Sequence, residues 1–282
     1  MPTPQTLQMN ERRGRDPIGD QLREWRQRRR LSQLALATSA GVSQRHVSFV
    51  ESGRAMPSRE LVLSLAKQLE VPFRERNELL LAAGFAPIYR ERSLDAPELA
   101  PARRAIELVL EAYEPFPALA IDRHWSLVLS NRAVAPLLAR VHPDLLQPPV
   151  NVLRVSLHPQ GLAPHIANLK EWREHVLARL ETQVRLSADR VLAALLEELL
   201  TLEMPATSAA ATRSDASSEP MSGSAVLAGV AVPFQLDTER GRLSFLSTTT
   251  VFGTPIDITL SELAIEAFLP ADAATAAALR GQ

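Results

Sequence analysis

The chain has 282 residues, 46% of them apolar and 22% charged, which is room for two ordinary globular domains with real cores. The absence of cysteine excludes disulfides, thiolate metal sites and a cysteine nucleophile, and no run approaches the ~18 apolar residues of a membrane span, so the expected compartment is the reducing cytoplasm, with no membrane partner. The net charge of −1 hides an asymmetry: residues 1–90 hold 15 Arg and Lys against 9 Asp and Glu, the remainder 16 against 23. A basic surplus at one end is the footprint of phosphate binding, although a solvated basic face gives the same count.

Residues 1–16 are polar, Arg-rich and aperiodic, and the opening MPTPQTLQMNERRGRD lacks the apolar stretch of a signal peptide, so they are expected to form a flexible arm. Ile18, Leu22 and Trp25 then recur at helical spacing, with Arg23, Arg26 and Arg28 to Arg30 on the other faces. Ser32, Ser43 and Ser58 stand where helix N-caps belong, the last ahead of Leu61, Leu65 and Leu69. A fifth short helix around Asn77 to Ala83 stops at Gly84, which closes an all-α domain over 17–84.

A linker over 85–97 leads to a second domain, 98–282, opened by an amphipathic helix from about 98 to 113. PALAID and WSLVLS read as strands around a turn, and NRAVAPLLA as a helix opened by Asn131. Strong helices follow near 168–185 and 187–203, then a low-complexity stretch, 205–225, expected to be a disordered loop. Strand patterns return in VAVPFQLD and, past a turn at Arg240-Gly241, in RLSFLSTTTVFG. In ELAIEAFLP the alternation of Leu263, Ile265, Ala267 and Leu269 favours strand over helix. The expected fold is therefore multidomain: five short helices, then an α+β domain whose antiparallel sheet carries helices on one side.

LSQLALATSAGVSQRHVSFVESG, residues 31–53, has a special texture. Helical spacing puts Gln44, Arg45, Ser48, Ser52 and Phe49 within an arc of about 140° and leaves Val47 and Val50 on the opposite side. Gly41 permits the left-handed turn before this helix, and small Ala37 permits close helix approach. Such a helix fits the major groove. The run Gln33, Leu36, Ala37, Gly41, Val42, Ser43, Val47, Val50, Glu51 and Gly53 resembles the phage-repressor-like helix-turn-helix of the xenobiotic-response-element class, over roughly 17–84. The resemblance implies phosphate contacts from Gln33, Ser43 and the backbone near Gly53 and Arg54, base reading by Gln44, Arg45, Ser48 and Phe49, and a structural ion pair between Arg26 and Glu51. The chemistry agrees, since Gln suits adenine, Arg forks onto guanine and Phe can touch a thymine methyl. Phe49 departs from the polar reader common at its position.

The second half offers no nucleophile elbow, phosphate-binding loop or metalloprotease motif, so no catalytic residue is assigned. His142, His158, His165 and His175 match no ligand spacing, so no metal site is expected. PALAIDRHWSLVLSNRAVAPLL, NVLRVSLHPQGLAPHIANLKEWREHVLARL and LSFLSTTTVFGTPIDITLSELAIEAFLPADAATAAAL, in that order, look very like the MmyB-like ligand-binding domain, which is PAS-like, over about 100–280. That resemblance implies a small-molecule sensor with a fatty acid as the associated ligand type and no other cofactor. Leu153, Leu157, Leu162, Ile166, Trp172, Phe245 and Phe252 could line an apolar channel and Arg154 could receive a carboxylate, with Asn131 a further motif position. The expectation is a homodimer on a double-stranded DNA operator, regulating transcription in response to a small hydrophobic ligand. The alternative is a ligand-independent DNA-binding dimer whose C-terminal half only dimerises.

Overall fold

The computed structural model describes residues 17–187, 189–203, 232–239, 241–253 and 257–281. The expected arm at 1–16, the loop at 205–225 and Arg240 lie outside these. The described chain forms two compact units. The first holds 17–92 together with 185–187 and 257–261, the second the rest.

Five helices build the first unit: α1 (Ile18–Arg28), α2 (Gln33–Ala40), α3 (Gln44–Glu51), α4 (Arg59–Gln68) and α5 (Phe73–Ala82). Three start where a serine hydroxyl accepts an otherwise orphaned backbone N–H: Ser32 from Ala35, Ser43 from His46 and Ser58 from Leu61. The apolar stripes meet in one core around Leu22, Trp25, Leu36, Val50, Leu65 and Leu79. Between α2 and α3 the chain turns through Gly41 at φ +70°, whose missing Cβ removes the left-handed penalty. At Gly19 the issue is space: a Cβ there would stand 2.5 Å from the Val50 carbonyl oxygen and 2.8 Å from that of Glu51. Only glycine lets α1 lie this close to α3.

The fifth helix begins at Phe73, a full turn before the sequence expectation, because its charged first turn of Arg74, Glu75 and Arg76 masks the apolar period. Asn77, expected near its start, braces the following segment instead. Its Oδ1 accepts the Ile88 and Tyr89 N–H groups and its Nδ2 donates to the Tyr89 carbonyl. Phe73 stacks on the Tyr89 ring at 4.4 Å.

In the second unit α6 (Ala100–Ala112) precedes strands β1 (Ala118–Ile121) and β2 (Leu127–Ser130). Short helices α7 (Ala135–Leu138) and α8 (Val152–Leu157) lead to the long α9 (Leu169–Ser187), most of which belongs to this unit, and α10 (Arg190–Thr201). Strands β3 (Phe234–Thr238) and β4 (Gly241–Val251) are followed by α11 (Ile258–Ser261), which belongs to the first unit, then β5 (Ala264–Pro270) and α12 (Ala273–Arg280). The five strands form one antiparallel sheet in the order β2-β1-β5-β4-β3. Its largest apolar core gathers Leu119, Phe245 and Phe268 from the sheet with Trp172, Val176 and Leu180 from α9. Helices do not cover one side alone, however. Every residue of β1 is buried, and α6 packs on β1 and β2.

Asn131 was expected to open a helix. Its side chain makes no capping bond, because it is used further away: Oδ1 accepts the Ala118 N–H, and Nδ2 donates to the carbonyls of Leu110 and Phe116. One buried amide thus ties the end of α6 to the start of β1, satisfying backbone groups that would otherwise be stranded. α8 was not expected as a helix. Asn151 caps it, taking the N–H groups of Leu153 and Arg154.

Candidate functional site

α3 presents two chemically different faces. Val47, Val50 and Glu51 are buried, Gln44, Arg45 and His46 are exposed, and Ser48 and Phe49 are half-buried. The arginines do not hang free above Phe49. Arg45 lies over its ring at 5.1 Å and Arg54, from the turn beyond the helix, at 5.9 Å, so the aromatic face gathers two guanidinium groups on one side of the unit. Gly53, at φ +71°, turns the chain there, and the Arg54 N–H returns to the Phe49 carbonyl at 2.8 Å.

The end of α3 is held from beneath. Glu51 accepts Arg26 Nε on Oε1 at 2.6 Å and Arg26 Nη2 on Oε2 at 2.9 Å, while its backbone carbonyl accepts Arg23 Nη2 at 2.7 Å. Burial pushes the Glu51 carboxyl up, but the hydrogen bonds from Arg26 and Gln33 and the nearby arginine charges outweigh it, so the group ionises below its ordinary range. Gln33, expected as a phosphate contact, spends one Nε2 hydrogen on Glu51 Oε2 at 2.9 Å. Its carbonyl and second hydrogen remain. Ser43 is exposed and commits its oxygen to the His46 N–H.

The second candidate site is a cavity of about 100 Å³ inside the second unit. Its walls are mostly apolar, with Leu119, Leu127, Val155, Val176, Phe234 and Phe268 among them. Trp125 reaches it from the β1–β2 turn with a left-handed backbone, φ +65°, which a bulky side chain avoids unless held. Asp122 does the holding: its Oδ1 accepts the N–H groups of His124 and Ser126, each at 2.8 Å. The Trp125 Nε1 donates to Gln183 at 2.8 Å, which fixes the indole edge.

Polar lining is sparse. Arg179 from α9 and Glu266 from β5 face each other with Nη2–Oε1 at 2.5 Å and Nη1–Oε2 at 3.2 Å, and the Arg179 guanidinium lies over the Trp125 ring at 4.5 Å. His175, one turn before Arg179, and Ser156 of α8 also line the space. Burial, with the Arg179 charge, holds the His175 pKa below the usual imidazole value.

The sequence expectations for this site divide. Leu153, Leu162 and Trp172 line the cavity, and Ile166 is buried outside its lining. Leu157 is buried outside the lining, Phe245 is fully buried and packs on Phe234 and Phe268, which do line it, and Phe252 is half-buried away from it. Asn131 serves as the structural tie described above. Arg154 requires a correction: its Nε and Nη2 meet Glu198 at 2.6 and 2.7 Å, its side chain is 43% exposed, and it is not part of the cavity wall. Helical geometry accounts for this, because neighbours on α8 point apart, Leu153 and Val155 inward and Arg154 toward α10. Arg179 and Glu266 carried a readable signal. Arg179 continues the spacing of buried Trp172 and Val176, and Glu266 shares the inward alternation of β5 with Phe268.

Among the described residues no group of three His, Asp or Glu side chains could hold a metal, and no helix is long and apolar enough to cross a membrane. Residues 102–281 match the family model of the MmyB-like transcription regulator ligand binding domain, and residues 22–76 match a helix-turn-helix model. Over 83 residues, 29% of this chain, it is 36% identical to an uncharacterized HTH-type transcriptional regulator, RghRB, of Bacillus subtilis (strain 168). The matched stretch spans 58% of that relative.

Proposed function

The chain belongs to the MmyB-like transcription regulators, with a helix-turn-helix DNA-binding head and a ligand-binding domain, and from that premise we propose that it is a homodimer whose hold on an operator answers to a small apolar ligand. It is a regulator and not an enzyme. Base reading falls to Gln44, Arg45, Ser48 and Phe49 of α3. Phosphate contacts fall to Gln33, Ser43, Arg54 and the backbone at Gly53. A head this small reads only a few base pairs, so specificity needs two heads on half-sites about one helical turn apart. Its work is placed in the cytoplasm, beside the DNA.

The observation that carries the ligand half of this reading is the apolar cavity with a few convergent polar groups at its wall. A fatty-acyl type of ligand suits such walls. The void of about 100 Å³ is smaller than the ~150 Å³ cavity that admits benzene, so a long chain requires lining side chains such as the half-buried Leu137 and Leu138 to move outward. That movement supplies a route to regulation. A ligand changes DNA affinity only as far as it binds two arrangements of the protein unequally.

The test is extraction of the purified full-length protein with organic solvent and mass spectrometry of what is released, beside a Val176→Phe variant whose ring fills the void. An apolar compound held by the wild type and lost from the variant supports the reading. Full DNA binding with no released compound, and no response to added acyl ligands, leaves the ligand-independent dimer in its place.

A further inference from the structure

We infer that the cavity selects a ligand whose polar head is uncharged, a hydroxyl, amide or carbonyl group seated by His175 and Ser156, and that it rejects the corresponding carboxylate. The inference rests on the ligand-binding reading above and specifies the chemistry of that site.

Among the described residues, Arg179 and Glu266 are the only charged side chains in the cavity wall, and their charges are paired with each other. Each oxygen of Glu266 has two donors: Oε1 takes Arg179 Nη2 at 2.5 Å and Thr249 Oγ1 at 2.7 Å, while Oε2 takes Arg179 Nη1 at 3.2 Å and Ser247 Oγ at 3.1 Å. Trp125 covers the guanidinium face at 4.5 Å. Glu266 therefore occupies the place that a ligand carboxylate would need. An incoming anion would be a second negative group beside Glu266 in a low-dielectric space, and an incoming ammonium would meet the positive Arg179. Neither sign of charge is left to be balanced.

His175 and Ser156 supply neutral hydrogen-bonding capacity at the wall. His175 makes no hydrogen bond among the described residues, and its lowered pKa keeps the imidazole uncharged at neutral pH, with one donor and one acceptor nitrogen. Ser156 accepts the Trp172 Nε1–H at 2.9 Å and keeps its own hydrogen to donate. Both groups adjoin Trp172, whose ring centroid is 5.6 Å from that of His175. A donor and an acceptor on one side of an apolar space match an alcohol or an amide on an apolar chain.

The experiment titrates full-length, lipid-extracted protein at about pH 8 with octane, octan-1-ol, octanamide, octanoate and octylammonium, read by calorimetry and tryptophan fluorescence; at that pH the acid and the amine are fully charged. The alcohol and the amide are expected to bind at least about tenfold tighter than either ion. Glu266→Gln removes the internal anion and leaves Arg179 unbalanced, so octanoate should then gain about tenfold or more relative to octan-1-ol. His175→Phe should lower the alcohol's affinity toward that of octane. Wild-type protein that binds octanoate as tightly as octan-1-ol overturns the uncharged-head inference and leaves ligand binding intact. Binding of none of the five, octane included, overturns the ligand reading and the inference with it. The wild-type comparison decides the matter even where a variant does not fold.

Discussion

Arg26 grips Glu51 with two hydrogen bonds, at 2.6 and 2.9 Å, and so fixes the C-terminal end of α3 to α1. The side chain of Glu51 is 1% exposed and that of Arg26 12%, which makes this a buried pair whose partners depend on each other. Arg26→Ala would leave a buried carboxylate short of its main partner, at a cost of about 3 kcal/mol. Glu51→Gln keeps an acceptor and loses the charge, so it should cost less. Hydrogen exchange of the α3 amides in the full chain, measured by mass spectrometry, ranks the two variants. The sign of the pH dependence follows from the same geometry. A carboxyl ionising below its ordinary value of 4.5 contributes stability that is complete above that value and is lost as pH falls through the lower folded value. Protection of α3 in the wild type should fall in that acid window, and in Glu51→Gln the fall should be smaller.

Gly19 is the second device that sets the placement of α3. A methyl group at this position would meet two backbone carbonyls, neither of which can rotate away as a side chain would. Gly19→Ala should therefore destabilise the head by about 1–3 kcal/mol, the usual range for overpacking, even though alanine is the better helix former. Faster exchange at the contacting ends of α1 and α3 with unchanged exchange in the second unit is the expected result. A stabilised variant would mean that the helices separate without penalty.

Phe49 holding two arginines predicts a pattern across four substitutions. With Arg45 proposed as a base reader, Arg45→Ala should cost about 1–3 kcal/mol on a selected operator and little on random DNA, because such a residue contributes to sequence discrimination. Arg54→Ala, at a position proposed to contact phosphate, should weaken binding to all sequences and lower the salt slope by about 1. Phe49→Leu separates two roles for the ring. Leucine can still touch a thymine methyl but offers no aromatic face to the guanidinium groups, so loss equal to that of Phe49→Ala identifies the stacking role. Operators come from selection on a randomised duplex library, and affinities from anisotropy at several salt concentrations.

The helices of the head were legible because their signals are local. Ser32, Ser43 and Ser58 sit within three residues of the N–H groups they cap, and Gly41 turns the chain at the residue where it stands. The cavity depends on contacts that a linear reading does not order. Leu153 and Trp172 could be assigned by apolarity, but so could Phe245, and only packing puts Phe245 a layer behind Phe234 and Phe268. Arg154 and Arg179 are both arginines on helices with apolar neighbours. Their roles are separated by their acids, Glu198 on exposed α10 surface and Glu266 inside the sheet 87 residues from Arg179. The tie made by Asn131 was hidden for the same reason, since its partners Leu110, Phe116 and Ala118 come from an earlier helix, the turn after it and the strand that follows.

Trp125 links backbone strain to the cavity. Its left-handed backbone is disfavoured for a side chain of its size, and Asp122 offsets that through two N–H contacts on either side of it. Asp122→Ala removes both and should let the turn relax, carrying the indole away from the Arg179 guanidinium. A red shift of tryptophan emission, with apolar-ligand affinity lowered at least about fivefold, is expected. Asp122→Asn retains the accepting oxygen and should restore most of both signals. A variant with unchanged emission and affinity would show that sheet packing alone positions the ring.

Arg154 supplies the contrasting case. Its pair with Glu198 has good two-pronged geometry, but both side chains are 43% exposed, and ion pairs in that setting contribute about 0.2–1 kcal/mol. Arg154→Ala should accordingly lower stability by no more than that and leave the affinity for any cavity ligand within about twofold. A substitution at Arg179 behaves differently on physical grounds, because Glu266 is buried and would lose its counter-charge. Arg179→Ala should destabilise the second unit by several-fold more than Arg154→Ala and change ligand affinity as well. Measuring denaturant unfolding and apolar-ligand binding for both variants separates the two arginines. A ligand-binding loss confined to Arg154→Ala would move the ligand's anchor out of the cavity and onto the α8–α10 surface.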